Sequence, residues 1–329
     1  MISLKKTLEV QTSSYKNKNM LKYVKTELKR MGASYYQDKR GSIYATKGIG
    51  ESYGCVVAHT DTVHRIVPRK SFKIYTEKNI MFSIDTRDWT RTGIGGDDKV
   101  GVYVALRMME ELDVLKAAFF VDEEVGCLGS GDADLKFFGD VRLCMQADRK
   151  GFREITNSIH MTEMYGDVFA NDIEPVLKKW NVVEVDGGMT DVCTLAEKID
   201  NIPMFNAACG YYKPHTGDEY VDVSEVEDTY LFMKEVMVCT DGVDYGKEYK
   251  REAYSYSNNW ANWGSTRDLT PPKKGSQKTV WTTNRNWKIA EPKAEVCPSC
   301  HTENLHRDWR EEYICHSCGY YGSKESYTF

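Results

Sequence analysis

The chain of 329 residues has no run of eighteen apolar residues, which leaves no candidate for a membrane-spanning helix. Its amino terminus, Met1-Ile2-Ser3-Leu4-Lys5-Lys6, leads into polar residues instead of an apolar signal core. The expectation is a cytoplasmic protein with no membrane partner. A disulfide framework is missing as well. Cys55, Cys127, Cys144, Cys193, Cys209 and Cys239 are scattered singly, mostly among apolar neighbours, as buried thiols in a reducing compartment are. Charge excess is small, a net of −5, but it is unevenly spread. Residues 245–329 hold 13 Lys/Arg against 10 Asp/Glu, a net of +3, which leaves −8 to residues 1–244. With 41% hydrophobic and 28% charged residues the bulk reads as globular, long enough for one large domain plus something smaller.

What is present is an alternation of helical and strand-like runs. Met20, Leu21, Val24, Leu28 and Met31 recur at helical spacing, and short strands follow over 34–37 and 42–46. The apolar run Tyr53 to Ala58 ends abruptly in His59-Thr60-Asp61. A hairpin is expected from Phe72–Tyr75 and Ile80–Ile84 around Lys78-Asn79. Gly93-Ile94-Gly95-Gly96-Asp97-Asp98 then precedes a helical run, Val100 to Leu112. Leu115 to Val121 runs into Asp122-Glu123-Glu124, and Val141 to Ala147 ends at Asp148. Next come a helix over 161–180 and a strand over 182–185. Ile202 to Cys209 then leads into Tyr211-Tyr212-Lys213-Pro214-His215, and a helix over 223–238 closes the domain. This order predicts an α/β fold with a mixed, mostly parallel central sheet flanked by helices.

In an open α/β sheet the ligand crevice lies beyond the carboxyl ends of the strands. Four runs deliver a metal-compatible residue there, with the Asp97 turn between the first two. His59 is a metal ligand by chemistry, and Asp61, two residues on, is placed to accept its other N–H. Alone, that pair equally describes a hydrogen-bonded turn. Three successive carboxylates at 122–124 repel one another unless solvated or neutralised by cations. With metal present, one serves as ligand and a neighbour as general base; without it, this is an acidic loop. His64, lacking such a partner, reads as a surface residue.

His59-Thr60-Asp61, Gly96-Asp97-Asp98-Lys99-x-Gly101, Asp122-Glu123-Glu124-x-Gly126, Asp148 and His215-Thr216 resemble, in the same order, motifs of the dinuclear zinc exopeptidases related to peptidase T, aminoacylases and bacterial aminopeptidases. The resemblance covers residues 15–240. It implies that His59 and Asp148 complete one metal, Glu124 and His215 the other, and that Asp97 bridges them. Glu123 would be the general base, Asp61 would orient His59, and Asp191, in Gly187-Gly188-Met189-Thr190-Asp191, would lie near the substrate. The resemblance also singles out the Asp97–Asp98 peptide bond for its geometry. His and carboxylate donors suit two zinc ions, with manganese or cobalt compatible. Such ions hold a hydroxide between them and polarise a scissile carbonyl. Tyr211 or Tyr212 stands close enough in sequence to His215 to bond an oxyanion or to pack. Asp148 and His215 are 67 positions apart and the interval is already filled, so the lid domain of peptidase T has no room. The expected activity is that of an aminopeptidase or small-peptide hydrolase. N-acyl amino acid deacylase or carboxypeptidase activity from the same site is the alternative, the substrate then being an acylated amino acid.

Beyond residue 244 the composition changes. Residues 245–293 are polar and contain Pro271-Pro272, and 253–293 carries seven basic and two acidic side chains. Tyr254, Tyr256, Trp260, Trp263, Trp281 and Trp287 are interleaved with them, a composition of a tether that docks its aromatics or of a strand that stacks on single-stranded nucleic acid. Cys297-Pro298-Ser299-Cys300 and Cys315-His316-Ser317-Cys318-Gly319 have the spacing of a structural four-cysteine zinc site, a zinc ribbon over 294–322 with 323–329 as tail. So small a unit would draw much of its folding energy from zinc. A nucleic-acid or protein partner at the ribbon defines a further reading, an adaptor built on a hydrolase scaffold.

Overall fold

A computed structural model describes residues 1–159 and 162–245, together with the backbone of three short strands further on. The chain divides into two compact units, Met1–Asn259 and Trp260–Phe329.

The first unit opens with helices α1 (Leu4–Glu9) and α2 (Lys18–Arg30) and strands β1 (Ser34–Gln37), β2 (Ile43–Lys47) and β3 (Tyr53–His59). Strands β4 (Phe72–Glu77), β5 (Ile80–Asp85) and β6 (Thr90–Thr92) lead into helix α3 (Gly96–Glu111) and strand β7 (Leu115–Phe120). Then come α4 (Leu128–Gly131), β8 (Val141–Arg149), β9 (Phe152–Ile159), β10 (Thr162–Glu163), α5 (Asp167–Trp180), β11 (Val183–Gly187) and α6 (Asp191–Ala196). The unit continues with β12 (Met204–Cys209), β13 (Tyr211–Tyr212), β14 (Tyr220–Asp222) and α7 (Val223–Cys239).

Nine strands make the central sheet, in the order β1-β2-β7-β3-β8-β12-β9-β10, with β11 on β9. Its middle, β7-β3-β8-β12, is parallel. These are the continuous apolar runs, and every residue of β3, β7 and β12 is buried, as strands covered on both faces must be. Antiparallel neighbours flank them on both sides. Helix α3 packs on the sheet through Val100, Val104, Leu106, Met108 and Met109, all without exposure, and its near-uniform apolarity is that of a buried helix. Because the four middle strands run the same way, His59, Asp122–Glu124, Asp148 and the segment after Cys209 emerge at one edge.

A second sheet is only partly foreshadowed by the sequence. The hairpin β4–β5 is joined by β6 and, through β14, by β13, in the order β13-β14-β5-β4. His215 lies in the loop between β13 and β14, so this sheet carries it. The helix expected over 161–180 begins at Asp167; Met164 and Tyr165 are buried in the core ahead of it, which is why their apolarity mimics a helical face. Between Asp148 and Tyr211 every described strand pairs into the central sheet, and α5 buries Phe169, Ile173, Val176 and Leu177. No separately packed lid occurs there among the described residues. Tyr245, the first residue of the expected linker, is buried against Phe169 and donates to Asp172 Oδ2 at 2.9 Å.

In the second unit the described backbone forms three antiparallel strands, β15 (Leu305–Arg307), β16 (Glu312–Cys315) and β17 (Tyr321–Ser323), in that order. Cys315 ends β16; Cys297, Cys300, Cys318 and the rest of the expected linker lie outside the described residues.

Candidate functional site

The residues delivered to the sheet edge meet around Asp97. Its Oδ1 lies 3.1 Å from His59 Nε2 and its Oδ2 3.2 Å from His215 Nε2, so the two oxygens of one carboxylate face two imidazoles. Asp148 Oδ1 stands 3.5 Å from His59 Nε2, and Glu124 Oε2 3.1 Å from His215 Nε2. Glu123 Oε2 is 3.8 Å from His59 Nε2. The structure thus gathers His59, Asp97, Glu123, Glu124, Asp148 and His215 in one cluster. His59 is wholly buried, whereas the His215 side chain is 53% exposed, so the cluster opens on the His215 side.

Asp98 also approaches; ligand-type atoms of His59, Asp98 and Asp148 lie within 4.8 Å of one another, as do those of His59, Asp97 and Glu124. Each of its oxygens already accepts one backbone hydrogen bond. Oδ2 accepts the His59 backbone N–H at 2.9 Å and Oδ1 that of Gly101 at 3.0 Å. A Cβ at Gly101 would run into this carboxylate, which accounts for the glycine. The Asp97–Asp98 peptide bond is cis, and regular helix begins only after it.

Two parts of the cluster are fastened from behind, the loop after His59 and Asp148. Asp61 Oδ1 faces His59 Nδ1 at 3.5 Å, a contact too poor to count as a hydrogen bond, and accepts the Glu123 N–H at 3.0 Å. Its Oδ2 takes the Ser14 hydroxyl at 2.8 Å. Asp148 is held by Gln146 Nε2 at 3.1 Å, Thr190 Oγ1 at 3.2 Å and the Tyr211 hydroxyl at 3.3 Å; its backbone exchanges hydrogen bonds with the Asn206 side chain. Gln146 lies two residues before Asp148 on one strand and so shares its face, a signal that strand periodicity alone carries. Tyr212 instead bonds Glu225 Oε2 at 2.6 Å and stacks on Tyr220. Asp191 is fully buried with neither oxygen partnered, the nearby Ser130 hydroxyl bonding to Cys127 O.

His64 departs from expectation. Its side chain is only 14% exposed and its Nε2 lies 2.6 Å from Glu219 Oε2, in space that Gly93 leaves open. Glu219, not singled out by the sequence, is wholly buried.

Electrostatically the cluster crowds carboxylates around two imidazoles. Burial, then repulsion from Asp97, pushes Glu124 up to about 8 and Asp148 well above the carboxylate range. Burial raises Glu123 too, and lifts Asp191 to about 7 with help from Glu123. Burial alone would lower His59, but Asp148, Asp61 and Asp97 outweigh it and raise the imidazole well above its usual value. His215 is lifted to about 9, chiefly by its hydrogen bond to Asp97. Glu124 Oε1 and His59 Nδ1 are buried without hydrogen-bond partners. Crowded carboxylates, two imidazoles and unspent lone pairs suit divalent metal of borderline softness.

No protein-family model and no curated protein sequence matches the chain. Solved structures do. An aminopeptidase PepT from Bacillus cereus superposes with a TM-score of 0.59 at 16% identity, over 72% of this chain and 96% of that one. A tripeptidase from Staphylococcus aureus gives 0.56 at 11% identity, over 71% and 95%. An aminopeptidase from the archaeon Desulfurococcus kamchatkensis gives 0.55 at 15%, over 74% and 95%. At these identities what is shared is architecture: the chain adopts the α/β fold of these peptidases.

Proposed function

We propose that the chain is a metal-dependent exopeptidase with a dinuclear site, acting as an aminopeptidase or small-peptide hydrolase. The observation that carries this is Asp97, whose two oxygens face His59 and His215 at 3.1 and 3.2 Å. His59 and Asp148 would hold one ion, Glu124 and His215 the other, with Asp97 shared. Two bound zinc ions, or manganese or cobalt, would supply Lewis acidity towards a scissile carbonyl and lower the pKa of water.

The chain's own residues would do the rest. Glu123 Oε2 faces the cluster, while its Oε1 accepts the Cys127 thiol at 3.4 Å. Its raised pKa suits a carboxylate that takes a proton from water and returns it to the leaving amine. Asp61 holds the Glu123 backbone and faces the His59 ring at 3.5 Å, from where it would take the Nδ1 proton once metal sits on Nε2. Tyr211, tied to Asp148, would orient that ligand. An exposed His215 leaves substrate its approach from that side. The likeness to proteins described as aminopeptidases and a tripeptidase favours free-amine peptides as substrates.

For the remainder we infer a zinc ribbon, a structural zinc on Cys297, Cys300, Cys315 and Cys318 beside the strands β15–β17, tethered by residues 245–293 and offering a surface for a protein or nucleic-acid partner. Six free cysteines in the first unit, five of them buried, suit a reducing compartment such as the cytoplasm. No helix among the described residues is long and apolar enough to cross a membrane.

Metal analysis tests the site directly. About three divalent ions per chain are expected, of which Asp97→Asn loses two and Cys315→Ser one. A single ion in the unaltered protein would refute the dinuclear site. A screen of free-amine, N-blocked and C-blocked peptides against metal-loaded protein then decides the substrate class; hydrolysis of N-blocked substrates alone would point to deacylase chemistry.

A further inference from the structure

Asp97 follows a glycine-rich stretch. Gly93, Gly95 and Gly96 precede it, Gly95 is left-handed with φ 69°, and glycine gives up more conformational freedom on folding than any other residue. The backbone N–H groups of this stretch need acceptors where they are buried, and hydrogen bonds to them would fix where the Asp97 carboxylate points. Glu219 is such an acceptor. Its Oε2 accepts the Gly95 N–H at 2.7 Å and its Oε1 the Asp97 N–H at 3.1 Å, so one side chain grips the backbone on both sides of Gly96.

A buried carboxylate is costly without donors, and a further anion beside this acidic cluster is costlier still. Glu219 has no exposure, and a third donor completes its set: His64 Nε2, 2.6 Å from Oε2. The imidazole fits because residue 93 is glycine; a Cβ there would collide with the ring. The sequence positions matter as much as the bonds. Glu219 follows His215 by four residues in the β13–β14 loop, and His64 follows His59 by five beyond β3. The two segments that bring the facing imidazoles to Asp97 therefore also bring the pair that latches its backbone.

We propose that Glu219 is the positioning residue for Asp97, with His64 orienting Glu219, so that the carboxylate is aimed at both imidazoles before metal arrives. This rests on the reading of Asp97 as the shared ligand. Removing a partner that aims a ligand lowers metal affinity by about 10- to 100-fold.

The test uses the full chain, stripped with chelator and titrated with Co2+, counting only the ions that Asp97→Asn loses and recording their visible absorption. Glu219→Gln keeps the size but replaces one acceptor oxygen with a donor that faces a backbone N–H. It is expected to weaken those ions by about 10- to 100-fold and to alter their spectrum. His64→Phe, which keeps a ring and loses the donor, should weaken them less. His64→Gln, whose amide can donate, should restore them. Metal-free melting temperatures separate aim from fold. Wild-type affinity and spectrum in Glu219→Gln would overturn the proposal. So would wild-type affinity in His64→Phe if Glu219→Gln proves to be merely unfolded. If the unaltered protein holds no Asp97-dependent ion, the dinuclear reading itself fails; if it holds two and Glu219→Gln matches it, only the latch fails.

Discussion

The two sides of the Asp97 cluster are made differently. His59 ends a fully buried strand of the central sheet, has no exposure, and is flanked by an Asp148 fixed through Gln146, Thr190, Tyr211 and Asn206. His215 sits at φ 63° in a hairpin loop of the other sheet, 53% exposed, touching Asp97 and Glu124. One side is shaped by packing and a hydrogen-bonded surround, the other by the cluster itself. Geometry on the first should persist without metal; on the second Asp97 should stay in place while the His215 side chain tightens when metal binds.

The largest effect expected is on turnover. Glu123→Ala should retain both ions and lose about 10^2- to 10^4-fold in kcat, the usual worth of a general base. Metal content equal to wild type with unchanged kcat would remove Glu123 from that role. Next, His59→Ala and His215→Ala compare the two sides. The former leaves buried carboxylates around a void and should destabilise the metal-loaded protein by roughly 3 kcal/mol; the latter, half-exposed, should cost well under half as much while still lowering metal affinity. Equal losses in denaturant melts would erase the distinction. The smallest effect is a pH trend. Glu124 is raised from 4.5 to about 8 and His215 from 6.5 to about 9, so the folded, metal-free protein binds more protons than the unfolded chain across that window. Stability from these groups is full below pH 4.5 and is lost as pH rises towards 9. The melting temperature of metal-free protein should fall from pH 6 to pH 9 and the loaded protein should be flatter; a metal-free melt insensitive to pH would contradict the shifts.

The contrast also sorts what is legible in the sequence. The β3, β7, β8 and β12 runs announce themselves because strands buried on both faces are continuously apolar, and the ligand positions follow from where those runs stop. The second sheet does not, since β6, β13 and β14 span only two or three residues each and carry no period. Helix α1, six residues long, escapes notice for the same reason. His64 and Glu219 are 155 positions apart, and nothing local marks either as a partner of the other. Asp191 is readable as a motif, yet its burial without partners is not, because burial is a property of the finished packing.

Asp98 and Gly101 constrain each other's substitution. The carboxylate that steadies His59 occupies the volume a side chain at 101 would need. Replacement of Gly101 by alanine is blocked while Asp98 stands, and a smaller residue at 98 would lift that block but leave the His59 N–H without its acceptor. The two positions are therefore coupled: a side chain at 101 requires a change at 98, and a change at 98 costs the His59 N–H its acceptor.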